Sequence, residues 1–185
     1  MEVFNSQDLT KARLLLKKDF PKYLERDYIN QVIAAMPVGR DRMLVMFLWM
    51  TGVRVTEAIN LSKGEIDFQN RMMNVKWLKS RKYYRRNVPI HSRLSSILEV
   101  YTTALKADDK IFPVSRQRVF QITKQWLNCS PHQLRHSFAV NWLREKADIF
   151  ILNRVLGHAR MQTTMEYLKI VPVDQGKELE KVNFW

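Results

Sequence analysis

Two histidines, an arginine and a tyrosine in the second half of the chain have the types and the spacing to act on a phosphate. In the segment PHQLRHSFAVNWL, His132, Arg135 and His136 stand at i, i+3 and i+4. A helix would put all three on one face. Ser130 followed by Pro131 reads as an N-cap with a proline in the first turn, which makes a helix the expectation here. Gly157, in LNRVLGHA, reads as the C-cap of a second short helix and leaves His158 just beyond it. Tyr167 follows in the segment MEYL. A guanidinium offers a planar fork of donors to phosphate oxygens, and a phenol can serve as a nucleophile.

Taken singly, each residue has a plainer use. His132 and His136 could be half of a zinc site, but His91 and His158 bring no carboxylate or cysteine cluster to complete it. Arg135 could be solvated or ion-paired, and Tyr167 could be a core tyrosine with its hydroxyl at the surface. Arg54, in TGVRVTE, could simply pair with Glu57 three residues on. The basic run over 79–86 could be a solvated hairpin tip.

The elements that must position these residues follow from periodicity and punctuation. A basic patch at Lys17-Lys18 and a few leucines make 1–20 an arm or lead-in helix, with a break at Pro21. An amphipathic helix is expected over 26–36, with Pro37 and Gly39 making the turn. A strongly apolar helix over 40–51 should cross the core and stop at Gly52. A short helix at 56–61 precedes a change of character: 72–78 and 86–90 read as strands, joined by a long basic hairpin loop over 79–85. Helices resume at 93–105 and 117–127 and continue into the segment that opens at Ser130. The fold class is mainly α with a small antiparallel β-sheet.

Composition narrows the partner. The 185 residues carry 31 Lys+Arg against 18 Asp+Glu, a formal charge of +13, which favours a polyanion, above all nucleic acid. The longest apolar run, 43–50, is too short to span a bilayer and is not a signal peptide. Cys129 is the single cysteine, so an internal disulfide is impossible and a cytoplasmic location is the expectation.

Together, TGVRVTEAINL, PHQLRHSFA, LGHA and the following Tyr167 resemble, in order and in the tight spacings of the C-terminal half, the boxes of the tyrosine recombinases, the phage integrase family, with a shorter separation from Arg54 to His132 that suggests trimmed loops. The resemblance covers about residues 21–170, leaving 1–20 as the arm and 171–185 as a tail. It implies that Arg54 and Arg135 bind the scissile phosphate, that His132 acts as general base or proton relay, that His158 hydrogen-bonds the phosphate, and that Tyr167 is the nucleophile. It also implies a hairpin lysine that protonates the leaving 5′-oxygen. Lys79 fits that place best, with Lys82 and Lys76 as alternatives. His136 reads as a structural neighbour, and Glu57 as a buttress for Arg54. Two guanidiniums and two imidazoles around Tyr167 should favour its phenolate.

The chemistry so implied is cleavage and rejoining of DNA through a 3′-phosphotyrosine, in integration, excision, inversion or resolution of a mobile element, without ATP, cofactor or metal. The partners implied are double-stranded DNA with specific recombination sites, further protomers in a tetrameric synapse, and accessory DNA-bending proteins. The place of action is the nucleoid-associated cytoplasm, with no membrane. Residues 1–20 are too few for the DNA-clamping domain that most members carry, so the expectation is a chain like the small fimbrial invertases. The tail over 171–185 is expected to dock on a neighbouring protomer. A type IB topoisomerase-like relaxing enzyme and a non-catalytic DNA-binding accessory protein are the alternatives.

Overall fold

The computed structural model describes residues 22–79 and 82–171, the side chains of 77–79 and 82–83 excepted. The expectations for the arm at 1–20 and for the tail beyond Val171 lie outside these residues. Helix α1 (Arg26–Ala35) is followed by α2 (Arg40–Thr51), α3 (Val55–Asn60) and a 3-10 turn (Lys63–Glu65). An antiparallel sheet comes next, β1 (Ile66–Asp67), β2 (Met72–Lys79) and β3 (Lys82–Pro89) in that order. The rest is helical: α4 (Ser92–Tyr101), α5 (Arg116–Leu127), α6 (Pro131–Arg144), α7 (Ile149–Leu156) and α8 (Met161–Met165), which runs into a 3-10 turn (Glu166–Lys169). The mainly helical fold with a small antiparallel sheet is as the sequence implies.

Helix α2 is apolar all round because it is enclosed all round: Met43, Leu44, Val45, Phe47, Leu48 and Trp49 are all buried. It packs against α6 and also touches α1, α4 and α5. Its end is set by Gly52, at φ 62°, in the left-handed conformation that glycine adopts without strain. The ring of Phe138 on α6 lies where a Cβ on Gly52 would stand, 2.3 Å from its Cδ1. One glycine therefore stops α2 and lets α6 come close. Helix α6 begins as expected, with the Ser130 hydroxyl accepting from the Gln133 N–H and the Gln133 side chain accepting from the Ser130 N–H. Cys129, just before it, is buried, and burial pushes its thiol up to about 12.

The hairpin differs from the expectation. Pairing of β2 with β3 continues to Lys79↔Lys82, so residues 82–85 are strand and only Ser80 and Arg81, which lie outside the described residues, connect the two. The segment that reads as a loop holds Tyr83 and Tyr84, residue types that favour strands, and in register Trp77 stands opposite Tyr84 and Leu78 opposite Tyr83. Helix α4 ends at Tyr101, four residues short of the expected 105. There the buried Thr102 returns its hydroxyl to the Leu98 carbonyl, and Thr103 returns its own to Glu99. Such back-bonding by two β-branched residues ends a helix readily.

Replacing Gly52 by alanine should cost more than ~1 kcal/mol, because the strained φ and the collision with Phe138 act together. Urea unfolding of the variant checks this; an unchanged midpoint would show that α6 does not depend on so close an approach.

Candidate active site

The site is assembled at the C-terminal end of α7. The last carbonyls of a helix have no partners within it. Here three consecutive ones are taken by arginines from three different elements. Arg86 on β3 donates its Nε to the Val155 carbonyl at 3.0 Å. Arg135 on α6 donates Nη2 to Leu156 at 2.6 Å and Nη1 to Gly52, at the end of α2, at 2.7 Å. Arg54, which precedes α3, donates Nη2 to the Gly157 carbonyl at 3.3 Å. Helix C-termini carry partial negative charge, so cations suit both ends that Arg135 bridges. Gly157 is at φ 65°, and a Cβ there would come within 3.1 Å of the Arg86 side chain.

Glu57 balances this cluster. It is 2 % exposed and takes both Nη groups of Arg86, at 2.7 and 2.9 Å, together with Nη1 of Arg54 at 3.0 Å and the Arg54 N–H at 2.7 Å. Burial opposes its charge, but the bonds and charges of Arg86 and Arg54 outweigh burial and hold its pKa below the usual value. The expected buttress for Arg54 is therefore present, shared with an arginine that the sequence hid within its basic run. Arg135 is 2 % exposed, and burial, with Arg54 and Arg86 nearby, lowers its pKa to about 10.

His132, Arg135 and His136 lie along one face of α6. His132 is exposed and meets the half-buried His136 edge to face, with ring centroids 4.3 Å apart. His158 follows Gly157 and sits in a closed loop of bonds. Its Nδ1 is 2.8 Å from the Thr164 hydroxyl, that hydroxyl donates to Asn153 Oδ1 at 2.7 Å, and the Asn153 amide reaches back to the His158 carbonyl at 3.5 Å. A hydroxyl has one proton to give, so His158 donates from Nδ1 and its Nε2 is the bare nitrogen when the ring is neutral. Burial first, then Arg135 and Arg54, depress His158 to about 4.

Tyr167 lies in the 3-10 turn after α8 and is 2 % exposed, packed with Ala139, Val140, Leu143, Leu152 and Leu156. Its hydroxyl is 2.7 Å from His136 Nδ1, and its ring stacks on His158 at 6.5 Å. His136, read as a structural neighbour, is the group in direct contact with the phenol. One expectation is corrected here. The phenol itself is pushed above its ordinary value rather than below it, because burial outweighs the opposing charge of Arg135. Its hydroxyl is also not at the surface.

Arg54 opens onto two cavities. The larger, about 1260 Å³, is lined by Arg54, Lys76, Arg86, Arg154 and His158 among others. The smaller, about 260 Å³, is lined by Arg54, Arg116, Phe120, His132 and Arg135 among others. Of the three candidate lysines, Lys76 faces the large cleft and is ion-paired with Glu65; the side chains of Lys79 and Lys82 lie outside the described residues. Among the described residues no three His, Cys, Asp or Glu side chains gather as a metal-binding set, and no helix is long and apolar enough to cross a membrane.

The helical scaffold with its three-stranded sheet matches solved catalytic domains of integrases in fold. Residues 22–172 fit the model of the phage integrase family, and the chain belongs to that family. Among its relatives is the tyrosine recombinase XerA of Pyrococcus horikoshii, 30% identical over 181 residues that span 90% of this chain and 63% of that protein. The corresponding protein of Pyrococcus furiosus is 31% identical over 91% of this chain and 64% of its own length. The chain thus spans less than two thirds of these curated relatives. Among solved structures, that of XerA recombinase superposes with a TM-score of 0.67 at 27% identity, over 91% of this chain and 68% of the other. The catalytic domain of bacteriophage HP1 integrase gives a TM-score of 0.68 at 23% identity, over 86% and 94%, a likeness of fold.

Replacing Glu57 by glutamine should cost ~3–5 kcal/mol, since it strips a buried ion cluster of its only shown carboxylate. A carboxylate whose folded pKa is depressed stabilises fully above its unfolded value and loses that contribution as pH falls through the folded one. The gap between wild type and Glu57→Gln should therefore be widest above pH 4.5, the ordinary value, and close below it. Chemical denaturation as a function of pH reads this out, and a gap that does not change with pH would contradict it.

Proposed function

We propose that this domain cuts and rejoins DNA strands at specific recombination sites, with Tyr167 forming a 3′-phosphotyrosine. The observation that carries the reading is the meeting, at the end of α7, of Arg54, Arg135, His132, His158 and Tyr167, residues from four separate stretches of the chain. Membership of the phage integrase family supports it, as does the net charge of +13. A homologous fold, XerH recombinase, has been solved bound to its difH substrate, and duplex DNA is the substrate proposed here.

In this reading a phosphodiester enters over Arg54, whose side chain is 37% exposed between the two cavities. A guanidinium has five N–H donors. The carbonyl bonds of Arg54 and Arg135 therefore fix their planes and leave donors for the non-bridging oxygens, where charge grows in the transition state. The phenolic oxygen gives its proton to a site imidazole and attacks phosphorus, and the 5′-oxygen departs with the bond pair, taking a proton from a hairpin lysine, with Lys79 the first candidate. One ester replaces another, and a 5′-hydroxyl from a second duplex reverses the exchange. Two duplexes require several protomers, and the segment 171–185 is proposed to link them on DNA.

The test uses nicked duplexes enriched from a random-sequence pool for binding to this chain. Wild type should form a covalent protein–DNA adduct that Tyr167→Phe abolishes, while Arg135→Lys, which loses the fork, should slow it on the order of 100- to 1,000-fold. Strand exchange between two such sites would mark a recombinase. An adduct that persists in Tyr167→Phe would overturn the assignment of the nucleophile.

A further inference from the structure

Three histidines crowd this site, and the roles above leave one of them idle. His136 nevertheless makes the shortest polar contact to the tyrosine oxygen, 2.7 Å from Nδ1. His132 stands one helical turn earlier, exposed, and touches the His136 ring at its edge. The rings thus form a line from solvent to the buried phenol: His132, His136, Tyr167. Resting on the proposed function, we infer that His136 is a catalytic residue, the group that takes the phenolic proton of Tyr167.

The geometry sets the tautomer this requires. With its proton on Nε2, neutral His136 presents a bare Nδ1 to the phenolic O–H, and the hydroxyl donates. As Oη bonds to phosphorus and the P–O5′ bond breaks, the phenolic proton passes to Nδ1. The imidazole becomes imidazolium, and the departing oxygen takes its own proton elsewhere. No oxidant or co-reactant is needed. His132 and Arg135 face His136 from α6, Tyr167 from the turn after α8, and His158 from the end of α7. Burial, then His132 and Arg135, hold the free imidazole at about 4, so the proton stays on the phenol until something changes. A phosphate beside Arg135 offsets part of what disfavours imidazolium, so His136 becomes a stronger base with DNA in place. His132, exposed and without a shown contact to Tyr167 among the described residues, then gives the charge a way to solvent.

Two measurements test this. In the DNA-free protein, ¹⁵N NMR of labelled histidine should show His136 with a bare, pyridine-type Nδ1 and a protonated Nε2. A protonated Nδ1, which would make His136 the donor to the phenol, overturns the proposal. On the enriched nicked duplexes, His136→Gln keeps an acceptor but cannot titrate. It should bind DNA normally yet form the adduct ~100- to 10,000-fold more slowly, with a rate that climbs as pH rises. A bridging 5′-phosphorothiolate, whose sulfur leaves without a proton, should not restore that rate, whereas it should restore a defect in the lysine that serves the leaving group. A wild-type rate and pH profile in a folded His136→Gln protein would show that His136 only shapes the site. Absence of adduct from wild type itself would count against strand cleavage, and the tautomer would then decide the chemistry of His136 alone.

Discussion

Three arginines closing on three successive carbonyls at one helix end is the interaction on which the rest depends. Val155, Leu156 and Gly157 would otherwise present unpaired acceptors inside the protein, at a cost of about 1–3 kcal/mol each. Arg86, Arg135 and Arg54 satisfy them, and in doing so the sheet, the central helix pair and the start of α3 are fastened to α7. Arg135 extends the joint to the end of α2 through Gly52. The same contacts that hold the fold together orient the guanidiniums, so stability and the proposed phosphate binding share one set of atoms.

Electrostatically the cluster is unbalanced. Glu57 is the one carboxylate shown bonded to Arg54 and Arg86, and Arg135 rests on carbonyl dipoles alone among its described contacts. Burial, aided by neighbouring cationic groups, holds the histidines neutral, and His136 and His158 both fall to about 4. The excess positive charge is therefore fixed on side chains that cannot easily lose it, beside cavities open to an anion.

Much of this was legible in the residues. The apolar run over 40–51 with Gly52 behind it gave α2 to the residue, and Ser130-Pro131 gave the start of α6. The left-handed Gly157 and the placement of His158 beyond it were also readable. Arg86 was not, since nothing local distinguishes a buried arginine from its solvated neighbours in a basic run. Nor was the bond between His136 and Tyr167, which spans 31 residues of chain and depends on how α8 packs against α7. The two-residue strand β1 is too short to show a period. The raised phenol follows from burial, which adjacent residue types do not reveal.

The hairpin carries a mechanical consequence. Strand β3 is pinned at Arg86 to the end of α7, and Lys82 stands four residues further along the same paired ribbon. At a strand rise of about 3.3 Å per residue that is an arm of roughly 13 Å, the length of about four base-pair steps of duplex. Any load borne at the far end is delivered along the paired strands to their fulcrum, the guanidinium that grips Glu57 and the Val155 carbonyl.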